Sequence, residues 1–132
     1  MSMTRRSYQG LERRRAPRVK SRLPVILTDG AEELTASTRD ISESGAYCTL
    51  RRFIPPMTKL QIHFELPGRP RAARITCQGV VVRVDPPAPT PRPSRYHLAI
   101  FFNDMAIGDR ARIARYIHHH LQAVKPRGTR QR

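Results

Sequence analysis

The chain of 132 residues has no tryptophan, two cysteines, three lysines and no apolar run near the length of a membrane span. Each shortage excludes something. Cys48 and Cys77 show no metal or redox spacing, so they read as two reduced thiols of a cytoplasmic protein. Without a long apolar run, no membrane insertion is expected. The opening Met-Ser-Met-Thr-Arg-Arg has no apolar segment behind its basic residues, which argues against a secretory signal. There is no phosphate-cradling glycine loop, no nucleophile elbow and no metal-ligand spacing, so neither an enzyme nor a metal or other cofactor is expected. His118, His119 and His120 do not change this. On a helix, consecutive residues point about 100° apart and cannot converge on one ion. They read as a solvated helix end, where histidine suits the negative pole.

What the chain has in excess is arginine. Lysine and arginine together number 25 against 10 acidic residues, a formal net charge of +15. Such a field attracts any polyanion, including nucleic acid, acidic proteins and anionic lipid, without choosing among them. A genomic bias toward arginine and proline would produce much of the same composition. The length suits one domain with a core that needs no disulfide or metal. Hydrophobic residues make up 39% and prolines number 12, so a compact centre with ragged ends and at least one long loop is expected.

Residues 1–12 read as a flexible basic arm and 13–21 as a basic linker around Pro17. A barrel is expected over 22–102. Its strands are read at Leu23–Thr28, Glu33–Ile41, Ala46–Leu50, Lys59–Leu66, Ala73–Val84 and Tyr96–Phe102. Asp29-Gly30, Ser42–Gly45 and Pro67-Gly68 are turns. Lys59–Leu66 alternates most cleanly, with Leu60, Ile62, Phe64 and Leu66 on one face. Gly79 marks a bulge or bend in the longest strand. The proline-rich stretch 85–95 is an exposed loop. A helix over 107–123, opened by Asp109, carries Ile113, Ile117, Leu121 and Val124 on one stripe, and 124–132 is a basic disordered tail. Six short strands and one helix predict a mainly β fold: a small six-stranded antiparallel barrel with a C-terminal α-helix packed at one end.

Two short signatures stand about twenty residues apart. Arg14-Arg15-Ala16-Pro17-Arg18 gives R-x-x-x-R just before the first strand. Asp40-Ile41-Ser42-Glu43-Ser44-Gly45 gives D-x-S-x-x-G where the second strand hands over to the third. The arginine pair alone means little, since Arg18 and Arg22 repeat the spacing, and the second motif alone is ordinary turn chemistry. Guanidinium forks match phosphates and the O6/N7 edge of guanine. The carboxylate of Asp40 can accept from guanine N1–H and N2–H₂, and Ser42 adds a small donor and acceptor. At Gly45 either a Cβ would block a ligand or the turn needs positive φ.

The two motifs in this order, with the strand pattern and closing helix, resemble the PilZ domain family over roughly Glu12 to Leu121. That resemblance implies a binder of the bacterial second messenger cyclic di-GMP. It implies that Arg14 and Arg18 are the two motif arginines and that Asp40, Ser42 and Gly45 are the three positions of the second motif. It adds Arg13, since the residue before the first arginine influences whether one ligand or a stacked pair binds. An arginine there resembles the stacked-pair class, with Arg15 an alternative third fork. Ser44 departs from the glycine often found beside the last motif glycine. The implied function is a second-messenger sensor that signals to an unidentified protein effector of motility, exopolysaccharide or surface attachment, as a monomer or weak dimer. A basic nucleic-acid-binding protein and a scaffold that ignores the ligand are the alternatives.

Overall fold

The computed structural model describes residues 17–91 and 95–130, with side chains on the last helix as far as Gln122. Seven strands and one helix follow in order: β1 (Val19–Lys20), β2 (Pro24–Asp29), β3 (Glu32–Ile41), β4 (Gly45–Leu50), β5 (Lys59–Leu66), β6 (Ala73–Asp85), β7 (Tyr96–Asp104) and α1 (Ile107–Arg130). All pairings are antiparallel. The sheet runs β3-β2-β5-β6-β7-β4, and β4 pairs back onto β3, closing a six-stranded barrel. A closed barrel leaves no free edge along these strands.

The strand outside the barrel, β1, is short and lies within the stretch 13–21 expected as a linker. Val19 pairs Ile41 and Lys20 pairs Asp40, while Pro24 pairs Ser37. Both β1 and β2 therefore lie along the edge of β3 opposite β4. Between them the chain steps out of register, and Thr38 fills the step. Its hydroxyl accepts from the Leu23 N–H at 2.8 Å and donates to the Ser21 carbonyl. A buried hydroxyl with both roles met costs little and fixes the path of the entering linker.

Strand periodicity decides the inside of the barrel. Along β5, Leu60, Ile62, Phe64 and Leu66 are all buried and the residues between them face outward. In β4 the same holds for Ala46, Cys48 and Leu50. The bulge between Thr38 and Asp40 flips the parity of β3, which turns Ile41 inward and leaves Asp40 on the outer face. Gly79 does mark a register shift, against β7. It is also buried, where a Cβ would lie 2.7 Å from side-chain atoms of Ile62 and Ile100. The hairpin from β2 to β3 turns on Gly30, whose φ of 64° is open to glycine at little cost.

The helix caps one end of the barrel with Ile113 and Ile117, both fully buried. The stripe expected to continue through Leu121 instead surfaces there, because Leu121 is 41% exposed. The helix begins at Ile107, as expected, with Asp109 in its first turn pairing with Arg112 at 2.9 Å, but it runs on to Arg130, through most of the stretch expected as a disordered tail from 124. No helix among the described residues is long and apolar enough to cross a membrane.

Candidate functional site

The linker, the β3–β4 turn and the start of α1 meet at one end of the barrel. Arg18 reaches Asp40, with Nη1 to Oδ1 at 2.7 Å. Both side chains remain partly open, at 44% and 28% exposed. The two signatures, 22 positions apart in the chain, are thus joined by a direct ion pair. Only one guanidinium N–H is needed for that bond, so Arg18 keeps donors for another acceptor. Arg13 and Arg14 lie outside the described residues.

Ser42 is buried, and its hydroxyl is committed to the turn. It accepts from the backbone N–H groups of Ser44 and Gly45, both at 3.2 Å, and lies 3.3 Å from the Gly45 carbonyl. The Ser42 N–H donates to that same carbonyl at 2.9 Å. The serine shapes the turn rather than presenting a free hydroxyl.

Gly45 answers to a constraint that neither sequence alternative named. Its φ is not positive; among the described residues only Gly30 and Met57 have positive values. A Cβ at Gly45 would instead lie 2.2 Å from the carbonyl oxygen of Ile100 on β7. The glycine is there so that β4 can approach β7 where Gly45 pairs Phe101.

Three contacts that sequence reasoning missed hold this end together. Arg110 donates to the Glu43 carbonyl at 2.9 Å, tying the turn to the first turns of α1. Phe102 N–H donates to the Ser44 carbonyl at 2.8 Å, tying it to β7. The hydroxyls of Ser21 and Tyr116 are hydrogen-bonded, tying the linker to the helix. Partners 67 and 95 positions apart leave no local signal. A fourth neighbour is Tyr47, directly opposite Asp40 in the β3–β4 ladder and hence on the same outer face. Its ring stacks on His97 with centroids 5.9 Å apart. His63, the other strand histidine, meets Thr76 at 3.2 Å.

Burial pushes both thiols up, Cys48 to about 12 with the charge of Asp40 adding to it, and Cys77 to about 12. Neither is a thiolate at neutral pH. Among the described residues no group of three or more histidine, cysteine or carboxylate side chains is placed to hold a metal.

A small closed antiparallel barrel, capped by one helix and entered through a basic linker whose Arg18 pairs with Asp40 at the end of β3, defines a class of small β-barrel domain. The family model for the PilZ domain matches residues 12–119. The chain belongs to the PilZ domain family. Two solved structures share the fold. The inhibitor of motility MotI/DgrA from Bacillus subtilis superposes with a TM-score of 0.72 at 19% identity, over 83% of this chain and 52% of that one. YcgR from Escherichia coli, solved in complex with c-di-GMP, gives 0.64 at 16% identity, over 91% of this chain and 51% of that one. The chain thus spans about half the length of each. No curated protein matches it.

Proposed function

We propose that this chain is a cyclic di-GMP-responsive module whose ligand lies across the linker and the β3–β4 turn. The observation that carries the reading is the Arg18–Asp40 pair, which brings both signatures to one open surface. Membership of the PilZ domain family supports it. So does the YcgR complex, in which a protein of the same fold holds this ligand.

Each residue then has a distinct task. Asp40 accepts from N1–H and N2–H₂ of a guanine, a donor pair adenine lacks. Arg18 turns its free donors to the Hoogsteen edge or a phosphate oxygen, and Arg14 supplies the second fork. Arg13 offers a third positive charge, which offsets repulsion where two dianionic ligands stack. Tyr47, beside Asp40, offers a flat surface for a base. Ser42 and Gly45 act indirectly, by fixing the turn that aims Asp40.

Binding draws Arg14 and Arg18 together onto the ligand. Ser21 and Tyr116 carry that change to α1, and Arg110 carries the state of the turn to the same helix. A partner protein in motility, exopolysaccharide or attachment machinery would read the altered surface. The nucleic-acid alternative has only the basic charge behind it, and a ligand-independent scaffold would leave Arg18 and Asp40 without a task beyond their own pair. The test is ligand affinity in Arg18→Ala and Asp40→Ala. Loss of one charged hydrogen-bonding partner costs about 1.5–3 kcal/mol, or roughly ten- to a hundredfold in affinity. Unchanged affinity in both variants would overturn the assignment.

A further inference from the structure

A second basic feature lies apart from the linker and turn. The loop from β5 to β6 and the outer side of α1 form a cleft of about 460 Å³. Five arginines line it, Arg69, Arg71 and Arg74 from the loop side and Arg112 and Arg115 from the helix, together with His119. No carboxylate lines it. The acids that partner its rim are elsewhere: Glu65 meets Arg74 at 3.7 Å and Asp109 meets Arg112 at 2.9 Å. Among the described residues, Arg69, Arg71 and Arg115 have no carboxylate within ion-pair range. None of Arg18, Asp40, Ser42 and Gly45 belongs to the lining.

Like charges gathered around a concavity focus a positive potential there and raise the local concentration of anions. The side chains are arginines, whose planar forks match phosphate oxygens in pairs. The volume falls within the range of about 300–1,000 Å³ typical of small-molecule sites. The lining is not wholly ionic. Tyr116 and His119 bring aromatic rings, and Leu66, Pro67 and Ala73 bring apolar surface. Phosphate-matching forks beside ring surfaces are what a nucleotide needs, and a bare oxyanion has no use for the rings.

We propose that this cleft is a second ligand site, specific for a phosphate-bearing mononucleotide and separate from the linker–turn site. Arg71 and Arg115, one from each wall, clamp the phosphates, and Tyr116 and His119 face the base. Tyr116 also meets Ser21, three residues past Arg18, so occupancy of the cleft bears on the linker.

The experiment is calorimetric titration with ATP and, in parallel, inorganic tripolyphosphate, at moderate salt. Three proteins are compared: wild type, Arg71→Ala/Arg115→Ala, and a charge-matched control, Arg51→Ala/Arg83→Ala, drawn from exposed arginines outside both sites. All four positions are exposed, so each variant should fold; thermal unfolding verifies it. The expected result is one ATP per chain, bound more tightly than tripolyphosphate. The cleft variant should bind it about tenfold more weakly or worse, and the control within about twofold of wild type. The cleft variant should bind cyclic di-GMP as wild type does, which separates this proposal from the sensor reading. Equal weakening in the two double variants would overturn it in favour of a diffuse field. Tripolyphosphate binding as tightly as ATP would overturn the nucleotide assignment. A single-stranded oligonucleotide binding far more tightly than ATP through the same two arginines would overturn it in favour of nucleic acid.

Discussion

Replacing Gly45 by alanine separates what the turn does for the fold from what it does for a ligand. The new Cβ would stand 2.2 Å from the Ile100 carbonyl oxygen, 3.3 Å from its carbon and 3.4 Å from the Phe101 Cα. All three are backbone atoms of a paired strand and cannot rotate away. Relief requires β4 and β7 to part by about 1 Å to restore a van der Waals distance. The bonds at risk are Phe102 N–H to the Ser44 carbonyl and Ser42 N–H to the Gly45 carbonyl. Overpacking costs about 1–3 kcal/mol and each backbone bond about 1 kcal/mol, so a loss of about 3 kcal/mol is expected. That is a large share of a stability of roughly 5–15 kcal/mol. With a urea slope of about 2 kcal/mol per molar, the unfolding midpoint should fall by about 1.5 M. Gly79→Ala is the internal comparison. Its Cβ would meet Ile62 Cδ1 and Ile100 Cγ2 at 2.7 Å and the Phe101 carbonyl oxygen at 3.1 Å, a looser approach to backbone than the 2.2 Å at Gly45, so its midpoint should fall by less. If Gly45→Ala unfolds at the wild-type midpoint and loses only ligand, the glycine serves the ligand and the steric argument is wrong.

Four further outcomes follow from the structure. Ser42→Ala removes the acceptor for two backbone N–H groups in a buried turn, and thermal unfolding should show a loss of about 1–2 kcal/mol; no change would mean that water replaces the hydroxyl. Tyr116→Phe cuts the link between helix and linker, and amide exchange at Ser21–Leu23 should quicken while the urea midpoint stays within about 1 kcal/mol of wild type; unaltered exchange would remove the helix from the route of signalling. Cys48 and Cys77, held up at about 12 by burial, should resist a thiol reagent at pH 8 until urea unfolds the chain. Because thiols ionise near 9 when unfolded, the unfolded state sheds these protons first, and stability should fall as pH rises from about 9 toward about 12.

Legibility in the sequence tracked how local each cause is. The bounds of β5 matched the structure because strict alternation between Lys59 and Leu66 has one cause, burial of a single face. The extent of β3 was legible, Glu33–Ile41 against Glu32–Ile41, but not the bulge that turns Ile41 inward, which depends on β4. Val19–Lys20 hid in the basic linker because its pairing is set by Asp40 and Ile41, some twenty residues on. In the site, Asp40 and Arg18 were readable as residue types, whereas their pairing needed the barrel to close. Gly45 was singled out, but its close approach to the backbone of Ile100 on a strand distant in sequence left no local signal. Nothing in the amphipathic pattern singles out Arg110 or Tyr116; only the fold sets them against Glu43 and Ser21.

These contacts divide the motif by kind of effect. The Arg18–Asp40 pair is partly exposed and contributes only about 0–1 kcal/mol to folding, so its loss should leave stability nearly untouched. Gly45 and Ser42 should do the reverse. The central claim is tested most directly by titrating cyclic di-GMP into wild type and Arg18→Ala by calorimetry, at moderate salt with excess GMP as competitor. The account predicts saturable binding to wild type, at one or two ligands per chain. It predicts affinity at least tenfold weaker in Arg18→Ala at an unchanged unfolding midpoint. Wild type that gives no saturable heat beyond that of GMP, or Arg18→Ala that binds as wild type does, would contradict it.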